Sequence, residues 1–445
     1  MVILLLLFLS FVSLLPNINT YEFRNEEPLR VAVAYEMSKS QSYIQPYLLG
    51  KPYFNKPPLF NWLILLYSHF LPWSELTARA VSLTFLLLCL LLIFAFSYYL
   101  FKNSQMALLS ALIFLTFGNV LFFYGYLAEI DITLTFFVFA SMVSLYMYLK
   151  SNSILWSILA GVLTGLSALL KGFPAYGFYF LTLLAFGLYQ KNLRFILDRK
   201  LFISHAISVL LPALWLLNTQ DPYIYLKTLF YESFSRISGE KFSRVLHIFT
   251  FPLLNFKDTL PNSLIFFISV CMLFKHKKFN LPHEVRILIL VFALNYLPYL
   301  LSNSAGRYVL PLYPLLATVF SFYIYRSFEV QSFKRFFYSL IILSVFLRFL
   351  YGELYFPYHN QRESSRKAIA EKIIKNVNLK APIQCNCPQE LSVCLYVGLA
   401  KGDPIKEKVS GAIYSINCQE DKGETLFSFN VNRSYRIRLL KLKGG

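Results

Sequence analysis

Glu26 and Glu27 follow closely on the first apolar run of the chain, and Lys56, with Pro57 and Pro58 behind it, closes the same polar segment, Asn25 to Pro58. A carboxylate can take a proton from an attacking group or steady a cationic centre, and a fixed ammonium can neutralise a departing anion. Residues of the same two kinds recur at the ends of later apolar runs. They are Glu129 and Asp131 in AEIDITLTFF, Lys171 in LLKGFP, Arg236 in YESFSRI, and Arg307 beside Tyr308 in SNSAGRYVLPLYP. Planar guanidinium groups suit phosphate oxygens, and a phenol can donate a further hydrogen bond. Each residue also has a plainer reading. Glu26 and Glu27 could be a solvated pair, Lys56 an interfacial lysine, Asp131 a helix-start charge, and Arg236 and Arg307 membrane anchors.

These side chains must be held by elements that cross a bilayer. The chain has 445 residues, 57% hydrophobic and 15% charged, with mean hydropathy +0.53. That is too apolar for a soluble protein of this length. Runs such as Ala80 to Phe101 carry no charge and reach the ~20 residues that cross a hydrocarbon core. The formal charge of +19 does not imply nucleic acid. The basic residues are spread over alternate short connections (Lys102, Lys150, Lys191, Arg194, Arg199, Lys275, Arg326 and Lys334 among them) as expected of cytoplasmic loops. The opposite connections then face outward, as do the residues named above.

The segment MVILLLLFLSFVSLLP has no Lys or Arg before its apolar run and no clear cleavage site, so it is read as a first span with its N-terminus cytoplasmic. Further spans are expected near 79–101, 105–124, 131–149, 154–170, 174–190, 201–217, 262–274, 286–301, 308–325 and 335–351. The expectation is a polytopic α-helical membrane protein of about eleven transmembrane helices, with interfacial helices in two long outer loops, about 17–78 and 218–261. Residues 1–351 form this membrane domain. Residues 352–445 read as a small α/β domain outside the cytoplasm, helical around Arg366 to Val377 and extended in SYRIRLLKLK. Cys385, Cys387, Cys394 and Cys418 in that domain allow up to two disulfides in any of three pairings, although Cys385 and Cys387 are too close to pair easily with each other. Cys89 and Cys271 fall in spans and read as packing residues, and Gly161 and Gly165 as a helix-packing pair.

The segment Asn25 to Pro58 resembles the first outer loop of the polyprenyl-phosphate-sugar glycosyltransferases of superfamily C, which hold the protein O-mannosyltransferases and the lipid A aminoarabinose transferases. The likeness rests on Glu26 and Glu27, Glu36 and Met37, Pro46, Gly50, Tyr53 and Phe54, and Lys56 and Pro57. It continues through Glu129 and Asp131, Lys171 and Gly172, Arg236, and Arg307 and Tyr308, and covers about residues 1–350. It implies transfer of a sugar from a polyprenyl-phosphate donor to an extracytoplasmic lipid, glycan or protein acceptor. Glu26, where the family usually has Asp, and Asp131 are the implied catalytic carboxylates. Lys56, Arg236, Arg307 and Tyr308 are the implied contacts to the donor phosphate, with Glu27, Arg30, Tyr53, Glu129 and Lys171 as further site candidates. Asn55 stands where aminoarabinose transferases carry a Glu linked to metal binding, so no cofactor is named, and a divalent metal is left open with Asn55 against it.

The expected partners are therefore the lipid-linked donor, its acceptor and membrane lipids, with no nucleic acid, and the expected location is the inner (plasma) membrane. No glycine-rich nucleotide loop is present, in keeping with a lipid donor. A transporter or lipid flippase would place charge near mid-membrane and often show two related halves. A non-catalytic envelope assembly protein is the third reading.

Overall fold

Backbone polar groups in a bilayer have no water to bond, so long apolar runs close into helices. The computed structural model describes residues 1–235, 241–418, 423–432 and 435–442. The chain opens with α1 (Val2–Val12). The first outer loop holds α2 (Glu27–Ser40), a hairpin of β1 (Tyr47–Leu48) and β2 (Lys51–Pro52), and α3 (Leu59–Ser68). The bundle follows as α4 (Glu75–Phe101), α5 (Ser104–Leu115), α6 (Ile130–Ser151), α7 (Ile154–Lys171), α8 (Pro174–Tyr189) and α9 (Arg199–Leu217). The second outer segment supplies α10 (Pro222–Phe234) and α11 (Lys241–Asp258). The bundle closes with α12 (Asn262–Lys275), α13 (His283–Leu300), α14 (Tyr313–Ser327) and α15 (Gln331–Leu350).

Helices stand at every position read as a span. Among the described residues seven are long and apolar enough to cross a membrane alone, and α11 with α12 makes one further candidate, bent by 99°. The run expected as one helix at 105–124 is two pieces, because α5 stops at Leu115 and a π turn follows over Val120–Tyr124. The break is filled by the α11–α12 elbow. The Gly118 N–H donates to the Leu260 carbonyl (2.8 Å), and the Asn262 amide donates to Thr116 Oγ1 (3.0 Å). Backbone left open by one broken helix is thus paired by the other. Helix α6 is enclosed on most sides, whereas α9, α13 and α15 turn rows of Leu, Ile and Phe outward, as a lipid-facing perimeter requires. Cys89 is buried as expected, but Cys271 lies exposed on α12 and is not a packing residue.

Gly161 and Gly165 let α7 and α9 meet backbone to backbone. A Cβ on Gly161 would come 2.6 Å from the Ser204 carbonyl oxygen, and one on Gly165 would press on Leu211. The pair is helix packing, as the spacing predicts.

The C-terminal part begins with a π turn over Tyr351–Tyr355 and α16 (Phe356–Gln361), then α17 (Arg366–Asn376), β3 (Ile383–Asn386), α18 (Leu391–Lys401), β4 (Tyr414–Asn417), β5 (Glu424–Asn432) and β6 (Tyr435–Lys441). The sheet runs β3-β4-β6-β5, with β3 parallel to β4 and the other pairs antiparallel. Helix α17 and strand β6 fall where the periodicity places them. Disulfides join Cys385 to Cys394 and Cys387 to Cys418, one of the three pairings left open by the sequence.

Two buried knots fix the first outer loop. In one, Arg79 of α4 clasps Glu27 with two hydrogen bonds (2.8 and 2.7 Å) and donates to the carbonyls of Ile18, Tyr21 and Glu22. In the other, Glu22 accepts from Ser365 Oγ (2.7 Å) and the Arg366 N–H (2.6 Å) and lies 2.9 Å from His359 Nε2. Burial opposes ionisation of Glu22, yet His359 and Ser365 outweigh it and hold the carboxyl down at about 2. A carboxyl lowered by folding contributes stability that is complete above its open-chain value and is lost as pH falls toward the folded one. Acidification from about pH 4.5 toward pH 2 is expected to remove roughly 3 kcal/mol through Glu22. Glu22→Gln should flatten that part of the melting-temperature profile; an unchanged acid limb would exclude Glu22 as its source.

Candidate active site

A cavity of about 660 Å³ opens between the segment that carries α2 and α3, the N-terminal ends of α6 and α8, the C-terminal end of α7, helix α10, and the segment entering α14. Glu26, Arg30, Lys56, Asp131, Lys171, Arg307 and Tyr308, far apart in the chain, all reach its wall.

Glu26 is the residue just before α2, with Pro28 in the first turn and the buried Glu27 fixing the start of the helix. Its carboxylate accepts from Arg30, one turn on, and from Arg307 across the cavity. Burial works against the charged form, but the two guanidinium groups prevail and bring the Glu26 carboxyl down to about 2. Arg307 uses its other arm on Glu129, 3.0 Å away. Glu129 is buried, and among the described residues its second oxygen meets no hydrogen-bond partner. Desolvation, joined by the charge of Asp131, pushes its carboxyl above the ordinary range.

Asp131 sits in the first turn of α6 and accepts from Lys171 Nζ at 2.9 Å. Lys171 ends α7, where Gly172 takes a positive φ of 74° and turns the chain into α8. The Lys171 ammonium lies 4.5 Å from the centre of the Tyr308 ring. On the opposite wall Lys56 pairs with Glu232 of α10, and Tyr225 donates to the Lys56 carbonyl (2.6 Å). The result is a set of alternating charges at one end of the bundle, beside apolar wall from Leu134, Phe173, Phe178 and Leu181.

Not every nominated residue reaches the cavity. Glu27 is fully buried behind the wall, held by Arg79 and by the N–H groups of Arg24 and Ala128. Tyr53 stands behind Arg30, 3.3 Å from its Nη1, and Glu129 stands behind Arg307. Arg236 falls outside the described residues. Glu232 lies in the same YESFSRI stretch as Arg236 but carries no local signal; only its position opposite Lys56 marks it. Among the described residues no three His, Cys, Asp or Glu side chains gather to hold a metal ion, and Asn55 is exposed and off the cavity wall.

A family model described as dolichyl-phosphate-mannose-protein mannosyltransferase matches residues 1–230, just over half of the 445 residues. The chain belongs to this mannosyltransferase family. The part matched to the mannosyltransferase family runs from α1 into α10 and so contains Glu26, Lys56, Asp131 and Lys171, while Arg307 and Tyr308 lie beyond it. An undecaprenyl phosphate-alpha-4-amino-4-deoxy-L-arabinose arabinosyl transferase of Proteus mirabilis is 28% identical over 247 residues, 54% of this chain and 44% of that protein. The enzyme of the same name from Pseudomonas aeruginosa strain UCBPP-PA14 is 27% identical over 242 residues, 53% of this chain and 44% of that protein. The matches thus span less than half the length of these curated relatives. Two crystal structures of ArnT from Cupriavidus metallidurans, apo and bound to undecaprenyl phosphate, superpose with TM-scores of 0.70 and 0.72. Both cover 98% of this chain and 96% of theirs at 14% identity, which establishes the fold: a multi-pass helical membrane protein with a small sheet domain at its C-terminal end.

Proposed function

We propose that the chain is a membrane glycosyltransferase that moves a sugar from a polyprenyl-phosphate carrier to an acceptor on the outer face of the inner membrane. The observation that carries this reading is the convergence of Glu26, Asp131, Lys56, Lys171 and Arg307 on one cavity that also has an apolar stretch of wall from Leu134, Phe173, Phe178 and Leu181. An amphiphile with an anionic head matches both halves of that lining. The positive connections on the other side of the bundle support an outward-facing orientation of this end.

Transfer breaks the bond between the anomeric carbon and the phosphate oxygen, and the electron pair leaves with the phosphate. Lys56 and Arg307 are placed to take up that charge, with Lys171 and Tyr308 close by. The acceptor oxygen forms the new bond to the anomeric carbon and gives up its proton. While Arg30 and Arg307 both hold it ionised, Glu26 is a weak base. A phosphate that draws Arg307 toward itself releases one of those contacts, and the Glu26 carboxyl becomes the better proton acceptor. Donor binding thereby prepares the base. Asp131, tied to Lys171, lies on the same wall and stabilises positive charge developing on the sugar.

The direct test is transfer from a radiolabelled polyprenyl-phosphate sugar by the purified chain in lipid nanodiscs, offered lipid, glycan and protein acceptors in turn. Labelled product is expected with one of them. No product with any carrier and acceptor would overturn the reading in favour of transport or assembly.

A further inference from the structure

None of the described residues of the C-terminal domain lines the cavity, yet the domain grips the first outer loop at two places on either side of α2. At the first grip the Phe23 N–H donates to the Tyr396 hydroxyl (2.9 Å), which itself donates to Glu75 (2.8 Å), and the Glu22 N–H donates to Asn360 (3.1 Å). Tyr21 stacks on Phe356 with ring centres 3.8 Å apart. At the second grip, on the β1–β2 hairpin, the Glu407 N–H donates to the Leu49 carbonyl (2.9 Å) and the Glu407 carboxylate pairs with Lys51 (2.7 Å). The Lys406 side chain passes so close that a Cβ on Gly50 would meet it at 3.1 Å. Glu26 follows the first grip by a few residues, and Lys56 follows the second.

One disulfide connects the two grips. The Cys385 N–H donates to the Lys406 carbonyl (2.9 Å), so the hairpin contact hangs from the strand that carries Cys385. Cys385 is bonded to Cys394, on α18 beside Tyr396 of the first grip. Helix α18 also packs on α2, closing the circuit.

We propose that the C-terminal α/β domain is a positioning clamp for the outer loop, and that the Cys385–Cys394 disulfide, outside the cavity, sets the separation of its two jaws and so the placement of Glu26 against Lys56. This inference rests on the transferase reading for the meaning of that placement, but the clamp itself is a mechanical statement. None of its residues is a catalytic residue; Tyr396, Glu407 and the disulfide act through the loop.

The test uses the full chain in nanodiscs, comparing wild type, Tyr396→Phe, and Cys385→Ser with Cys394→Ser. Amide exchange is followed for peptides covering residues 19–25 and 47–56, alongside kcat and the donor KM. Loss of the disulfide is expected to speed exchange at both loop sites by about tenfold, as local opening does. Tyr396→Phe is expected to speed exchange at the first site only. In both variants kcat is expected to fall about tenfold with donor KM within about threefold, the pattern for misplaced reacting groups in an intact binding site. Rescue of neither effect is expected from added thiol oxidant in the serine variant. Unchanged exchange at both loop sites while α18 stays protected would overturn the clamp, as would an unchanged kcat in Tyr396→Phe. If α18 itself loses protection in the serine variant, Tyr396→Phe alone decides between the two outcomes. Absence of transfer by the wild type defeats the transferase reading and leaves the exchange measurements to judge the clamp.

Discussion

Glu26→Gln is expected to lower transfer by about 10²–10⁴-fold, the range for loss of a positioned general base. The amide keeps the size of the side chain and a hydrogen bond to one guanidinium, but removes the charge that lies between Arg30 and Arg307. Arg307 remains held by Glu129, so the cation stays in the site and the donor KM should change little. The loss therefore belongs in kcat. Glu26→Asp gives a useful contrast, because it keeps the charge and places at this position the residue usual in the resembling transferases. It should retain much more activity than Glu26→Gln. Comparable transfer by Glu26→Gln and wild type, in an assay limited by chemistry, would remove Glu26 from the mechanism.

Arg79→Leu should be the most damaging single change to stability. Both partners of the Arg79–Glu27 pair are fully buried, and removing one member of such a pair costs about 3–5 kcal/mol because the other is left as an uncompensated charge. Here the loss extends further, since the carbonyls of Ile18, Tyr21 and Glu22 also lose their donor. Replacing both residues, Arg79→Leu with Glu27→Leu, takes away the stranded carboxylate and should cost less than Arg79→Leu alone. Thermal unfolding in detergent, with far-UV circular dichroism as the readout, measures the wild type and the two variants on one scale. A double variant less stable than Arg79→Leu would show that the pair is not what holds the loop.

Much of the architecture was legible because apolar length and the distribution of Lys and Arg are one-dimensional signals. A run such as Ile154 to Leu170 has one way to satisfy its backbone in lipid, and α7 is there. The break in the 105–124 run was not legible, since the Gly118 amide and the Thr116 hydroxyl are paired by the elbow at Leu260 to Asn262, far along the chain. The same distance separates what was read from what was missed at the cavity. Glu26, Lys56, Asp131, Lys171 and Arg307 were nominated from local patterns, and all reach the wall. Their pairings, Arg307 with two carboxylates, Lys171 with Asp131 and Lys56 with Glu232, are made across the fold and leave no local trace. Glu27 shows the converse. Next to Glu26 and of the same type, it is turned the other way by the helix start and by Arg79, and serves the fold. Cysteine spacing likewise left three pairings open, and only the parallel placement of β3 beside β4, with α18 across them, selects one.

The close contact at Gly161 makes a residue deep in the bundle answerable to events at the membrane surface. Any side chain there must displace the backbone of α9 at Ser204, and α9 carries Trp215, whose indole donates to the Ile44 carbonyl (3.0 Å) and meets the Tyr225 ring edge-on at 4.7 Å. Tyr225 in turn holds the Lys56 carbonyl. A single methyl group at 161 thus presses on the helix that leads, through Trp215 and Tyr225, to the lysine of the cavity. Substitutions that impair this protein need not cluster near its carboxylates, and a map of mutational sensitivity should show a ridge running down the α7–α9 seam.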